Sequence, residues 1–292
     1  VRVVTSDERS ALRDFFVAFD GSEGGTQTLP FLAFFVTAGT HELRAYDTLE
    51  PESPGLIEGI VVTPAAPAEL RRVAGNRWSI LPVGDDAPEV SGRLVDAFDN
   101  AIAGWPTRAE VVEAGVVVDV RAGETDAEGL ATFSLGAFAT DGVREVTIRA
   151  EGTALAPLEY GIVVVSPDAV GVVGPEGGVI AVVDPNSGAF GSRIIVPAGS
   201  LGEETRLIIA QVTGALPEVP DTSIGVGPAI EIGPAGTALL GSITVVIAYR
   251  EEDIPEGLAE TDLVLLRFDE TTGQWAQVVD ATQDLIANTF TY

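Results

Sequence analysis

The chain has 292 residues, 46% of them hydrophobic, which is enough for the cores of two or three domains. Its 44 acidic residues against 16 arginines, with no lysine, give a net charge of −28, so nucleic acid and anionic membranes are poor partners. The absence of cysteine excludes disulfides, zinc–thiolate sites and thiol nucleophiles. No apolar run approaches the length of a membrane helix, so we predict no membrane-spanning segment. The first residue is valine, so we expect a processed product or a fragment whose signal peptide is not in the chain.

Short apolar runs separated by turn residues predict β-strands along the whole chain. Examples are "GVVVDVRAG", "EVTIRAEG", "TRLIIAQV", "SITVVIAY" and "DLVLLRFD", with turns such as "TDAEG", "DPNSG" and "ETTG" between them. Helix signals are limited to Thr5–Glu8 and "TRAEVVEAG", which we interpret as turns or single helical turns. The predicted fold class is all-β, with tandem antiparallel β-sandwiches in three modules.

Two proline-rich changes in composition predict the module boundaries. "DTLEPESPG" precedes the first boundary and "VVVSPDAVGVVGPEGG" spans the second. We therefore predict a small β-sandwich unit at 1–61, a second domain at 62–168 and a third at 169–292, joined by short proline-containing linkers into semi-rigid rods.

The first unit opens with "VRVVTSDERS" and closes with "AGTHELRAYD". These segments weakly resemble a bacterial surface domain of unknown function, although the histidine and proline of that family's opening are absent. Six phenylalanines of this unit predict its core, or alternatively an uncovered edge that accepts a strand from a neighbour: Phe15, Phe16, Phe19, Phe31, Phe34 and Phe35.

The middle unit contains "VTPAAPAELRRVAG", then the turn Asp96-Ala97-Phe98-Asp99-Asn100, and then "TDAEGLA". These segments resemble the bacterial immunoglobulin-like domains of the invasin and intimin type, with Asp99 where that family usually has glycine. The resemblance implies an immunoglobulin-like sandwich. We expect Trp78 and Trp105 to pack the middle sandwich, with sugar stacking at the surface as the alternative.

The third unit contains "GPEGGVIAVVDPNSGAFGSRIIVPAGSL" and later "GPAGT" before "SITVVIAY". These segments resemble the ZU-five domain, a β-sandwich shared by ankyrins, netrin receptors and bacterial surface proteins. The remaining residues resemble the strand pair that often follows that domain, and we expect Trp275 to pack a hairpin there. Some ZU-five proteins are similar to autoproteases, but their downstream cleavage motif is absent here.

The motifs of common reactive sites are incomplete. "GPEGG" lacks the lysine of a phosphate loop, and the single histidine, His41, has no accompanying Gly-x-Ser-x-Gly, so we interpret it as a polar residue at a strand edge. "DPNSG" starts like a calcium loop at Asp184, but its twelfth position is Ile195, so a hairpin turn is the preferred interpretation. Carboxylate-based hydrolysis stays open. We predict no catalytic residue and no cofactor, except that calcium remains possible at Asp96, Asp99, Asp126 and Asp184.

The sequence therefore predicts a non-enzymatic, secreted protein of the extracellular space or cell envelope. Its expected role is that of a spacer, an adhesin or a subunit of a larger surface assembly. Its expected partners are other surface proteins or copies of itself, with exposed strand edges that accept strands from neighbours. The alternative is an accessory module that binds carbohydrate or protein.

Overall fold

The computed structural model describes residues 1–11, 13–18, 35–49, 52, 54–212, 216–220, 223–234 and 236–292. Regular structure in these ranges is almost entirely β-strand, with two single 3-10 turns at Glu251–Asp253 and Glu260–Asp262. The predicted all-β class is confirmed. Within the same ranges, no helix has the length and apolar character needed to cross a membrane.

The first group of strands forms one antiparallel sheet with the order β2-β1-β3-β4. Its strands are β1 (Arg2–Thr5), β2 (Asp14–Phe16), β3 (Gly39–Tyr46) and β4 (Gly55–Val62). The described part of this unit contains a single layer, so the small sandwich at 1–61 stays a prediction. Phe16 is exposed on the edge strand β2 rather than in a core, while Phe19, Phe31 and Phe34 lie outside the described residues.

The second group forms two facing sheets, of three strands in the order β10-β7-β5 and five in the order β6-β12-β11-β8-β9. Their strands are β5 (Pro67–Ala74), β6 (Trp78–Pro82), β7 (Val90–Asp96), β8 (Pro106–Glu113), β9 (Val116–Glu124), β10 (Leu130–Phe133), β11 (Gly142–Ala150) and β12 (Leu158–Val165). All pairs are antiparallel except β6 with β12, which is parallel. Fully buried Leu94, Val146 and Ile148 belong to the core between the sheets. The arrangement is an immunoglobulin-like sandwich.

Strand β8 corrects our interpretation of "TRAEVVEAG" as a turn or helical turn. Thr107, Ala109 and Val111 are all buried, while Arg108 and Glu110 between them are only half-buried. This period of two is that of a strand with one face on a core. Of the two glutamates that favour a helix, Glu110 lies on the outer face, and Glu113 lies opposite Arg144 of β11 and forms an ion pair with it. Neither opposes the pairing of β8 with β11 and β9.

The third group forms two larger sheets, β13-β16-β17 and β14-β15-β18-β22-β21, and a separate hairpin, β19-β20. Its strands are β13 (Ala169–Val173), β14 (Gly178–Ala181), β15 (Arg193–Val196), β16 (Thr205–Val212), β17 (Ala229–Gly233), β18 (Thr244–Ala248), β19 (Leu266–Asp269), β20 (Gln274–Gln277), β21 (Thr282–Asp284) and β22 (Thr289–Thr291). Ile194, Leu207 and Ile209 are buried in its core. The predicted hairpin around "DPNSG" is confirmed, because β14 and β15 pair on either side of it.

The last strand completes the third sandwich instead of trailing behind it. β22 lies between β18 and β21, and Phe290 of β22 is buried with its ring centroid 5.6 Å from that of Tyr249. The hairpin expected around Trp275 is also present, since Trp275 faces Phe268 across β19 and β20 at 5.1 Å. Residues 259–292 therefore contribute both a covering hairpin and a central strand.

Candidate functional site

The first candidate feature is a joint between the first sheet and the middle sandwich. It is centred on Asn100, a buried residue in the turn after β7. The Asn100 amide nitrogen donates to the carbonyl of Val36 at 2.7 Å, and its amide oxygen accepts from the N–H of Ala38 at 2.9 Å. The Asn100 side chain thus bonds both a C=O and an N–H group of the segment that leads into β3, as the backbone of a neighbouring strand would.

Asp96 fixes the orientation of Asn100. Its buried carboxylate accepts hydrogen bonds from the backbone N–H groups of Asn100, Phe98 and Ala65, and from the Asn100 side chain at 2.9 Å. Burial acts to raise the pKa of Asp96, but the hydrogen bonds from Asn100, Ala65 and Phe98 outweigh it and hold the pKa below its ordinary value. The joint is therefore held by an ionised carboxylate whose acceptor positions are occupied.

Asp7 holds the other side of the same segment. Its carboxylate accepts from the N–H groups of Val36 at 2.6 Å and Thr37 at 2.9 Å, and from the Thr37 hydroxyl at 2.7 Å. Burial acts to raise the pKa of Asp7, yet these bonds to Thr37 and Val36 lower it to about 2. Residues 36–38 are consequently bonded to the first unit through Asp7 and to the second through Asn100.

The second joint is an apolar core shared by the middle and third sandwiches. Val163 and Val165 of β12 pack against Ile208 and Ala210 of β16, and all four side chains are buried. These residues lie on the faces of β12 and β16 that point away from each sandwich's own core, as the period of two in a strand requires. The two sandwiches therefore meet sheet against sheet.

Trp78 packs at the edge of this second joint. A Cβ atom at Gly161 would lie 2.4 Å from the Trp78 ring, so only glycine permits the ring to lie flat on β12. The backbone N–H of Trp78 donates to the carbonyl of Glu270 at 2.8 Å, and the Trp78 ring meets that of Phe268 edge-on at 6.3 Å. Trp78 thus packs on the outer face of the middle sandwich, at the joint, and not between its two sheets. Trp105 packs against the core between the sheets.

The linker between these sandwiches is bonded to the third one. Asp168 donates its N–H to the carbonyl of Ile209 at 2.8 Å, and its carboxylate accepts from the N–H of Gln211 at 2.6 Å. An ion pair between Arg206 and Asp85, at 3.2 Å, crosses from one sandwich to the other. The linker is therefore a continuation of the sheet edge rather than a free tether.

A cleft of about 1110 Å³ opens beside the second joint. Its walls come from β17, from 247–250, from Leu258 and from 262–271, and they mix aliphatic residues with charged ones. Burial, and to a lesser extent the negative charge of Glu270, raise the pKa of Glu231 to about 8. Burial also raises the pKa of Glu270, although a hydrogen bond from Asn76 opposes it. The cleft thus combines aliphatic side chains with two carboxyl groups whose pKa values are raised by burial.

The four calcium candidates occupy three separate turns. Asp96 belongs to the first joint, and Asp99 in the same turn adopts positive φ and forms an ion pair with Arg71. Asp126 accepts the N–H groups of Glu128 and Leu130, and Asp184 accepts that of Asn186. Among the described residues, no three histidine, aspartate or glutamate side chains come together as a metal site. Each carboxylate has a role in its own turn, and calcium binding at them stays a prediction.

His41 lies in β3, a central strand of the first sheet, so its expected position at a strand edge was wrong. Its Nε2 is 2.7 Å from the carbonyl of Thr37, its Nδ1 is 3.3 Å from the Ser6 hydroxyl, and its ring packs 5.2 Å from that of Phe35. These contacts add a further attachment for the segment that precedes β3.

Sequence reasoning identified the turn that holds Asn100 but not its role, because both of its partners are more than 60 residues away. Glu231 was also missed. Its signal is the alternation in "AIEIG", where Ile230 and Ile232 face the core of the third sandwich and the glutamate between them faces the opposite side.

Comparison with known proteins supports one of the three resemblances directly. The ZU5 domain family matches residues 169–258, which is the ZU-five resemblance of the third unit. The match ends before β19, so the covering hairpin and the central strand β22 lie beyond it. No curated protein matches the chain significantly.

Among solved structures, the chain is similar to the CARDB domain of the PF1109 protein from Pyrococcus furiosus, a complex with di-metal ions. The identity is 14% over 34% of this chain and 94% of that one, with a TM-score of 0.25. It is also similar to native Escherichia coli alpha-2-macroglobulin, with 12% identity and a TM-score of 0.30, over 81% of this chain but only 18% of that protein. For extracellular domains 3–5 of Drosophila OTK the identity is 15% and the TM-score 0.21, over 79% and 90% of the two chains. Likenesses at these TM-scores say nothing further about fold or function.

Proposed function

We propose that this chain is a non-catalytic structural protein of the extracellular space or cell envelope, in which β-sheet modules are locked together as a spacer that presents surfaces to partners. The observation that carries this proposal is the apolar core shared by the middle and third sandwiches. A flexible tether would leave Val163 and Ile208 exposed to water, whereas here both are buried. Fixed joints transmit position and force along the chain, which is what a spacer requires.

The net charge of −28 supports the same role. A strongly acidic surface keeps chains soluble and apart, so that association depends on particular complementary patches. The first joint adds to the argument, because Asn100 and Asp7 fix the segment that leads into β3 from two sides.

Small-angle X-ray scattering with the variant Asn100→Ala tests the fixed joints. We expect the wild-type profile to fit one arrangement of modules, and the variant to need a distribution of positions for the first unit. Losing the amide leaves the partly buried Val36 carbonyl and Ala38 N–H without this partner, which costs about 1 kcal/mol. Asn186→Ala, in an exposed turn, is the matched control and should scatter like the wild type. A wild-type profile that already requires many arrangements would contradict the proposal.

Surface location is tested separately on intact cells of the source organism. We expect antibodies against the folded chain to label cells without permeabilisation. Labelling that appears only after permeabilisation would contradict an extracellular site while leaving the spacer architecture unaffected.

The cleft beside the second joint supports a second candidate, an accessory module that binds carbohydrate or protein. We expect Leu258→Arg, in the cleft wall, to abolish retention on a glycan array, while Val183→Arg, on an exposed surface, leaves it unchanged. If the wild type is not retained, or if both variants are retained equally, carbohydrate binding in this cleft is excluded.

A further inference from the structure

Strand β9 is an open edge of the five-stranded sheet in the middle sandwich. It is nine residues long, and in the described part of the chain only β8 pairs with it. Exposed edge strands are usually protected by proline, charged side chains, bulges or short length. "VVVDVRAGE" has no proline and no lysine, and its bulge lies near its start, opposite Val111 and Val112. From Asp119 to Glu124 its pairing with β8 is regular, so a second strand that adds here must accommodate the charged residues Asp119 and Arg121.

The edge is also unusually apolar. Val116, Val118 and Val120 are exposed by 63%, 54% and 46%. The first two lie beside the irregularity, while Val120 and Ala122 belong to the regular part and to the outer face. A row of exposed β-branched residues on an uncovered edge is the arrangement that accepts another strand.

The backbone of Val120 points towards the open side. Its N–H donates to the Asp119 carboxylate at 2.8 Å instead of to β8. In an antiparallel strand the backbone groups of alternate residues point to opposite sides, so those of Ala122 and Glu124 face outward with those of Val120. The open edge therefore offers the backbone N–H and C=O groups of Val120, Ala122 and Glu124 at regular spacing. One of them, the Val120 N–H, is bonded to the Asp119 carboxylate, which can move away.

The charges on β9 select one register for pairing with itself. Two copies form a continuous sheet with their outer faces on the same side when the two-fold axis is perpendicular to the sheet. Because residues of one face must then pair with residues of the same face, this axis passes through a residue. An axis at Asp119 places two carboxylates opposite each other, and an axis at Arg121 places two guanidinium groups opposite each other. An axis at Val120 places Asp119 of each copy opposite Arg121 of the other.

We propose that β9 pairs antiparallel with β9 of a second copy of this chain, centred on Val120, to make a continuous ten-stranded sheet. Val120 then meets its own equivalent, and Asp119 meets Arg121, while Val118, which has no partner in β8, lies at the margin of the regular pairing. Asp119, now 2.9 Å from Arg121 of its own strand, exchanges to Arg121 of the second copy and frees the Val120 N–H for the new ladder. Arg121 keeps its bonds to the carbonyls of Ser134 and Leu135, which hold it at the edge.

This inference gives a partner to the interaction role proposed above and rests on that proposal. It does not depend on the joints, because β9 lies at the sheet edge opposite β6, the strand that carries Trp78. An interface of one strand pair is small, so we expect a reversible dimer that is populated at protein concentrations on the order of 100 µM.

Sedimentation velocity with two charge-reversed variants tests the pairing. Asp119→Arg and Arg121→Asp each place like charges opposite one another, so each variant alone should be monomeric where the wild type dimerises. An equimolar mixture should dimerise again, because only the mixed pair restores both ion pairs. Neither variant retains the ion pair within its own strand, so recovery in the mixture cannot come from a repaired single chain.

Three outcomes would overturn the proposal: a monomeric wild type, single variants that dimerise as the wild type does, or a mixture that stays monomeric. Circular dichroism checks that each variant is folded. If one is not, Val120→Lys, which changes only an exposed side chain, serves instead and should be monomeric. Small-angle scattering from the monomeric variants separates the two proposals. If the modules keep one fixed arrangement but no dimer forms in the wild type, the pairing proposal fails and the spacer proposal stands.

Discussion

At the scale of the residue, Glu231 links the stability of the protein to pH. The folded protein holds a proton on this carboxyl up to about pH 8, because burial raises its pKa, whereas the unfolded chain releases it near 4.5. The folded state therefore binds more protons between these values, so the free energy of unfolding falls as the pH rises through that window and levels off above it. We expect Glu231→Gln to remove this decline and to raise stability at about pH 9 by on the order of 1–3 kcal/mol.

Urea denaturation at about pH 6 and about pH 9 measures this effect. Glu203→Gln, which changes an exposed glutamate of the same sandwich, is the matched control and should keep the wild-type dependence on pH. If Glu231→Gln loses as much stability between the two pH values as the wild type does, the group responsible lies elsewhere.

Asn100 shows where residue-level prediction from the sequence ends. Asp96 to Asn100 were predicted to form a turn because aspartate and asparagine bond their own main chain, and Asp96 does accept the N–H groups of Phe98 and Asn100. The bonds from Asn100 to Val36 and Ala38 depend instead on how two units meet. Local chemistry contains no information about such partners, so the joint was not predictable.

At the scale of the element, the last strand decides whether the third sandwich closes. Phe290 of β22, the strand between β18 and β21, is buried and packs against Tyr249, so Phe290→Ala removes the buried ring that anchors this strand. We expect a loss of about 3–5 kcal/mol in the free energy of unfolding, measured by urea titration. Ile286→Ala, at a 98% exposed position just before this strand, should change it by less than about 0.5 kcal/mol. Equal effects of the two substitutions would show that β22 contributes little.

The strands themselves were largely predictable, and their partners were not. Runs of apolar residues predicted β16 and β18, and Trp275 was expected to pack a hairpin, which the structure shows with Phe268 as its partner. Strand β8 was missed because its glutamates favour helix when the alternation of Thr107, Ala109 and Val111 is ignored. The insertion of β22 beside β18 depends on long-range pairing, which no local pattern specifies.

At the scale of the whole molecule, the shared core predicts that the middle and third sandwiches unfold together. Separating them would expose Val163, Val165, Ile208 and Ala210 to water, so each sandwich is more stable while the other is folded. We expect one cooperative calorimetric transition for these two units, with the van't Hoff and calorimetric enthalpies equal. Ile208→Asp should split it into two, because a carboxylate buried in the joint costs more than about 3 kcal/mol while the same side chain is tolerated once the units part.

The direction in which Ile208 points makes this prediction specific to the joint. Its neighbours Leu207 and Ile209 face the core of the third sandwich, so a change at Ile208 leaves that core intact. Val172→Asp, at an exposed position of β13 in the same sheet, is the matched control and should keep the single transition. Two transitions in the wild type would mean that the shared core does not couple the sandwiches. The spacer would then flex at its second joint, and force applied at one end would be absorbed there instead of being transmitted.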